Sequence, residues 1–408
     1  MLYPRISLYA LMLAAAGIPL YIHLPRFATT ELGISLGVLG TILLAIRVVD
    51  LVQDPLLGWA IDRWPQAQLM FATLAALGLA VGFPLLFSLS AEVDVVPKLI
   101  SILVLLFSAY SLGMILLYGR SATLAKTPDA QALMAVAAYR EVGMLAGVIL
   151  AALAPTLFIA MGASAQGYPA LGLFLGGIAL ATLIVTIPIW RRPPITGEKL
   201  SLSNFTSAGA MRLLILALVN SLPVAITSTL FLFFVDDRLQ LPGKAGVLLI
   251  LFFFCAGLSV PLWAKISRSI GARSTLLISM PLSIIGFIGA AFMAAGDLIG
   301  FALICIASGA ALGADMVVLP AMFSVALTRA GLNASSAFGI WSFAGKLSLA
   351  LAAFTVLPYL ERNGYTPGQI NSASALSSLN FAYAILPCLL KLCAFSMVLA
   401  LPKSEQPL

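Results

Sequence analysis

Asp50 and Asp54 stand one helical turn apart inside an otherwise apolar stretch, residues 40–63, and Arg47 falls on the same helical face at i, i+3, i+7. A carboxylate at bilayer depth costs about 3 kcal/mol by insertion scales, so one without a use is rarely kept. Two carboxylates a turn apart repel each other when both are ionised. Either a shared proton or a bound monovalent cation relieves that repulsion. Both outcomes couple a cation to conformation, and the residues do not choose between sodium and proton. Sodium would make Asp50 and Asp54 its metal ligands and needs further oxygens, for which the Ser111 hydroxyl is a candidate. Arg47 is the nearby charge partner.

Eight ionisable residues fall inside apolar runs: Arg47, Asp50, Asp54, Arg140, Glu141, Asp315, Lys346 and Lys391. Helical rise puts Arg47 and Lys346 at the middle of their runs, with Asp50 and Asp315 about 4–5 Å toward the cytoplasmic end. Four acids and four bases balance, as expected of groups that pair rather than face lipid. The bland alternative is a set of salt bridges clamping helices together. Glu141, beside Arg140, and Lys391, flanked by leucines, fit a structural or packing role.

These side chains need membrane-spanning helices to hold them. The chain has 408 residues, 62% hydrophobic and only 9% charged, with mean hydropathy +1.09. A soluble domain carries roughly 25% charged residues, so the composition is that of an integral membrane protein. Twelve apolar runs are expected: 6–28, 34–60, 68–90, 97–119, 131–160, 168–190, 209–235, 243–266, 273–295, 298–326, 333–360 and 379–401. The first is too long for a signal peptide. A polar connection containing Pro193, Pro194 and the turn-like, solvated Gly197, Glu198 and Lys199 divides six runs from six. The expected domains are a bundle over 1–192, a cytoplasmic linker over 193–208 and a second bundle over 209–408.

The net charge of +7 is a topology signal rather than a nucleic-acid surface. Thirteen Lys and Arg fall at one set of run ends, against five at the other (Arg26, Lys98, Arg238, Lys244 and Arg362). The positive-inside rule then places both termini in the cytoplasm, with a bacterial inner membrane as the expected location. Cys255, Cys305, Cys388 and Cys393 have neither disulfide nor metal spacing, and His23 is the only histidine. Gly143 with Gly147, and Gly309 with Gly313, form small-x-x-x-small pairs suited to close helix contact. No cofactor is implied. The partners expected are a small-molecule substrate, a monovalent cation and the bilayer, for a monomer.

Residues 32–59 resemble the helix 1–2 region of the glycoside–pentoside–hexuronide:cation symporters, the melibiose permease-like family of the major facilitator superfamily. The shared pattern is Arg-x-x-Asp-x-x-x-Asp-Pro-x-x-Gly, carried here by Arg47, Asp50, Asp54, Pro55 and Gly58. The likeness extends more weakly along the chain. It implies an all-α membrane protein of twelve transmembrane helices in two six-helix bundles, working by alternating access. In that family the two acids hold the cation, which carries over to Asp50 and Asp54. The segments around Arg140 and Lys346 are similar to the family's fifth and eleventh helices, and the resemblance makes both residues substrate-binding. Gly58, Asp62 and Arg63 match the superfamily's Gly-x-x-x-Asp-Arg loop, which implies a cytoplasmic gate. The departures are Ala14 and Met114, where the melibiose permease has its sugar-binding acids. Asp315 has no counterpart and is expected to pair with Lys346 or Arg140, or to contact substrate.

The function expected is therefore symport of a small organic solute, sugar-like or anionic and amphiphilic, driven by sodium or protons. An uncoupled facilitator or a lysolipid flippase of the same fold is the alternative. Asp50-x-x-x-Asp54 also suits the aspartate motif of an intramembrane prenyltransferase. Such an enzyme needs a second acidic cluster, and Asp315 stands alone. An enzyme is not expected.

Overall fold

The computed structural model describes residues 2–24, 27–28, 31–34, 36–127, 129–162, 167–195, 197–198, 201–366 and 369–402. Long helices follow one another with short connections. They are α1 (Tyr3–Ile18), α2 (Leu36–Arg63), α3 (Gln68–Phe87), α4 (Val95–Gly119), α5 (Ala130–Ala160) and α6 (Tyr168–Trp190). The series continues with α7 (Ala210–Phe233), α8 (Ala245–Ile270), α9 (Ala272–Ile288), α10 (Leu298–Arg329), α11 (Ala334–Arg362) and α12 (Ala373–Leu399). Among the described residues, 10 helices are long and apolar enough to cross a membrane. With backbone groups satisfied inside each helix, this is one of the two architectures a bilayer permits. The protein is an all-α membrane protein.

The chain divides into two compact units. The first comprises residues 1–204 with 327–343, and the second 205–326 with 344–408. The start of α11 thus belongs with the first unit and the rest with the second.

In the first unit, α5 packs along α1, α6 along α3, and α4 lies against both α2 and α3. Gly143 and Gly147 sit against the α1 backbone at Ser7 and Leu11, where an added Cβ would have no room. In the second unit, Gly309 and Gly313 sit likewise against α8 at Phe252 and Ala256. The glycine pairs do what their spacing predicts: they let helix backbones touch, so that dispersion rather than water exclusion holds the bundle.

The second unit has a feature that periodicity does not announce. π turns at Phe234–Arg238, after α7, and Phe381–Ile385, within α12, interrupt the regular helix. Phe234 and Tyr383 stack between them at 3.9 Å between ring centroids, with Phe301 beside both.

Glu198 of the linker is exposed, and its backbone forms a parallel bridge to Leu332; Lys199 lies outside the described residues. The Glu198 N–H donates to Gly331 O at 2.6 Å, the Asn333 N–H donates to Glu198 O at 3.0 Å, and the Gly197 N–H donates to Asn333 Oδ1 at 2.9 Å. Upstream, the Ile195 N–H donates to Thr123 Oγ1 at 3.0 Å.

Candidate functional site

Helix α2 carries the expected acids, and both are withdrawn from solvent: Asp50 is 1% exposed and Asp54 is fully buried. The Ser342 hydroxyl, near the start of α11, donates to Asp54 Oδ2 at 2.6 Å. Approach is close because Gly339 lies over the Asp54 carbonyl, with an added Cβ only 2.7 Å from that oxygen. Ser342 and Lys346 are one helical turn apart on α11. Ser111 is buried on α4, the helix packed against α2. One turn earlier on the same face, Ser108 donates its hydroxyl to Gln53 Oε1 at 2.7 Å. The first unit thus holds two buried carboxylates, with hydroxyl and amide oxygens supplied from α2, α4 and α11. Hard monovalent cations take oxygen ligands of this kind. The Arg47 side chain lies outside the described residues, and Lys346 is half-buried.

The end of α2 makes a second arrangement. Asp62 accepts the backbone N–H groups of Ser335 and Ser336, at 3.2 Å to Oδ1 and 2.6 Å to Oδ2. These are first-turn amides of α11, so a carboxylate on another helix caps this N-terminus and meets its positive dipole end. Gly58, one turn before Asp62, lies against the Ser335 carbonyl, where a Cβ would stand 2.5 Å from the oxygen. Arg63 is exposed. Arg120 reaches the same corner and donates from Nη2 to Ile61 O at 2.6 Å. Burial lowers the pKa of its guanidinium, and nearby Asp62 opposes that.

Arg140 is buried on α5 with its guanidinium 3.6 Å from the centroid of the Tyr118 ring. Its Nε donates to Glu141 Oε1 at 2.9 Å, and the Tyr118 hydroxyl donates to the same oxygen at 3.1 Å. Glu141 therefore orients Arg140 instead of pointing elsewhere. Arg140 Nη2 has no hydrogen-bond partner among the described residues.

In the second unit, Asp315 pairs with Lys391 of α12 rather than with the expected Lys346 or Arg140. Lys391 also donates to Asn220 Oδ1 of α7 at 2.7 Å. The sequence reading of Lys391 is a lysine that reaches a polar neighbour or supports packing, and here it reaches two polar neighbours. Its position on the inner face of α12 became visible only with the helix rotation fixed. Ser342, Asn220 and the Ser335 and Ser336 amides were missed. Ser342 had one usable signal, its spacing of four residues before Lys346.

A family profile described as MFS/sugar transport protein matches residues 6–402. No curated protein matches the chain. Among solved structures, the crystal structure of a bacterial homologue of the iron transporter ferroportin, in an outward-facing state, is similar at a TM-score of 0.68. It shares 15% identity over 97% of this chain and 100% of that one. The crystal structure of the human organic anion transporter MFSD10 (TETRAN) is similar at a TM-score of 0.63, with 16% identity over 97% of this chain and 98% of that one. At these identities the likeness shows the fold, that of the major facilitator superfamily. Family and fold are those of transporters rather than of enzymes.

Proposed function

The chain belongs to the MFS/sugar transport protein family, and from that premise we propose that it is a symporter in which sodium or a proton drives the movement of a small organic solute. The observation that carries this is the buried pair on α2: Asp50 at 1% exposure and Asp54 at none, with the Ser342 hydroxyl bonded to Asp54. Two carboxylates so withdrawn favour a positive partner, and a mobile one is bound and released more readily than a fixed guanidinium. Asp50 and Asp54 are the cation ligands, with Ser111 a further oxygen.

Arg140 and, by resemblance, Lys346 meet the solute. Arg140 is braced by Glu141 and Tyr118 and keeps an unfilled Nη2, so it suits a solute bearing an acceptor group, such as a carboxylate, phosphate or sugar hydroxyl. The organic anions named for the human neighbour of the same fold belong to that range. Asp62, with Gly58 and Arg63, forms the gate: its carboxylate holds the start of α11 in this conformation and releases it in the other. The termini are cytoplasmic and the membrane is a bacterial inner membrane.

Uptake into proteoliposomes tests this. Labelled sugars, organic anions and lysophospholipids are presented with an imposed sodium or pH gradient. Wild-type protein concentrates one class against its gradient, and Asp54→Asn abolishes accumulation while leaving downhill exchange. Uptake by Asp54→Asn that stays fully gradient-dependent overturns the proposal. Wild-type uptake that never depends on sodium or pH identifies an uncoupled facilitator.

A further inference from the structure

A cavity inside the second unit ends on the one buried charge pair described there, and cation coupling makes no use of it. Val224 and Thr227 of α7, Phe252 of α8, Ile284 and Phe287 of α9 and Leu312 of α10 border it, enclosing about 470 Å³ free of protein atoms, part of it open. Pro223 of α7 and Pro387 of α12 both line it. Proline has no N–H to donate to the turn before it, and its ring crowds that turn, so it bends the helix that carries it. In α12 the π turn Phe381–Ile385 stands just before Pro387 and widens the helix further.

The closed end is polar in a specific way. Asp315 and Lys391 line the cavity at 6% and 5% exposure. Lys391 Nζ donates to Asp315 Oδ2 and to Asn220 Oδ1. An ammonium has three N–H donors, so one is left. Asp315 Oδ1 is buried with no hydrogen-bond partner among the described residues. A buried acceptor left unfilled is costly, and each such group asks for an explanation.

The chemistry of the missing partner follows from that inventory. The pair is formally neutral. A cationic head would satisfy Asp315 Oδ1 but confront the Lys391 ammonium, and an anionic head would meet the reverse problem. A hydroxyl does neither: it donates to Asp315 Oδ1 and accepts the spare Lys391 N–H. Besides the Ser283 hydroxyl, the walls are phenylalanine, aliphatic groups and the Thr227 and Ser308 hydroxyls, which already donate to carbonyls of their own helices, so the space suits an apolar body better than a polyol. We propose that this cavity is a binding site for a neutral amphiphile, whose hydroxyl bridges Asp315 and Lys391 while its hydrocarbon body lies against Phe252 and Phe287. The site stands whether or not Asp50 and Asp54 couple a cation.

Cys388 provides the test, because it lines the cavity one turn before Lys391 on α12. In full-length protein carrying Cys255→Ala, Cys305→Ala and Cys393→Ala, the rate of Cys388 modification by methyl methanethiosulfonate is followed with 1-decanol, decanoate or decylammonium present. Decanol is expected to tighten occupancy and slow labelling about fivefold relative to the charged chains, what one net hydrogen bond contributes. Asp315→Asn combined with Lys391→Met removes the protection. Protein retaining only Cys393, which is exposed and not part of the lining, reports any general effect of decanol on the surrounding medium. Protection by decanoate or decylammonium equal to that by decanol overturns the proposal. So does an absence of protection, or protection that survives the double variant. The ranking of the three head groups on the unaltered pair decides the matter even where the double variant does not fold.

Discussion

Asp54 has one oxygen held by a hydroxyl, and a hydroxyl is suited to two states of that carboxylate. It donates to the oxygen when no ion is present, and it offers a lone pair to an ion that arrives. Ser342→Ala is therefore expected to raise the cation concentration that half-saturates uptake by about tenfold, the loss of one hydrogen bond to a charged group. Ser342→Thr, which keeps the hydroxyl, should restore most of the affinity. Equal cation dependence in wild type and Ser342→Ala would remove Ser342 from the site. The two aspartates were legible in the sequence because an acid in an apolar helix announces itself by its cost. Ser342 was not, since a serine costs little in a membrane helix and gains meaning only from what it faces. The same holds for Lys391. Its charge was visible, but its partner depends on the rotation of α12 against α7 and α10, which no local pattern encodes.

At the scale of helices, sequence spacing was most reliable where it concerned contact between backbones. Gly147→Val places a Cβ and its two methyl groups against the α1 backbone and is expected to cost about 1–3 kcal/mol through overpacking, seen as a lower unfolding temperature in detergent. An unchanged unfolding temperature would mean that α1 and α5 do not pack as described. The start of α5 offers a pH-dependent test. Asp129 Oδ1 accepts the Ala132 N–H at 2.8 Å and caps that helix. The Thr127 hydroxyl, first, and that amide hold the Asp129 carboxyl below its usual range. A lowered folded-state pKa means stability that is present above the unfolded value and lost as pH falls through the folded one. Asp129→Ala should therefore destabilise the protein at neutral pH, and the gap from wild type should close in strong acid. A gap independent of pH would show that the carboxylate charge is not what caps α5. The π turns had no such signal, and neither had the cavity, because the Pro223 and Pro387 that line it are two among the 23 prolines of this chain.

At the scale of the whole molecule, the expected all-helical membrane fold is the observed one, and composition made it legible: 9% charge in 408 residues admits little else. Periodicity could not show that residues 327–343, late in the chain, belong with the first compact unit. Nor could it show that the linker joins the 331–333 turn through backbone bonds. Both depend on contacts between segments more than a hundred residues apart. Cation coupling is the property that would make this fold a concentrating symporter rather than an uncoupled facilitator. Calorimetric titration of purified wild-type and Asp50→Asn/Asp54→Asn protein with sodium chloride, and separately with acid, tests it without knowledge of the solute. One of the two injectants is expected to give a saturable heat with wild-type protein that is absent from the double variant. Identical heats from both proteins, for sodium and for acid alike, would contradict a cation site on α2.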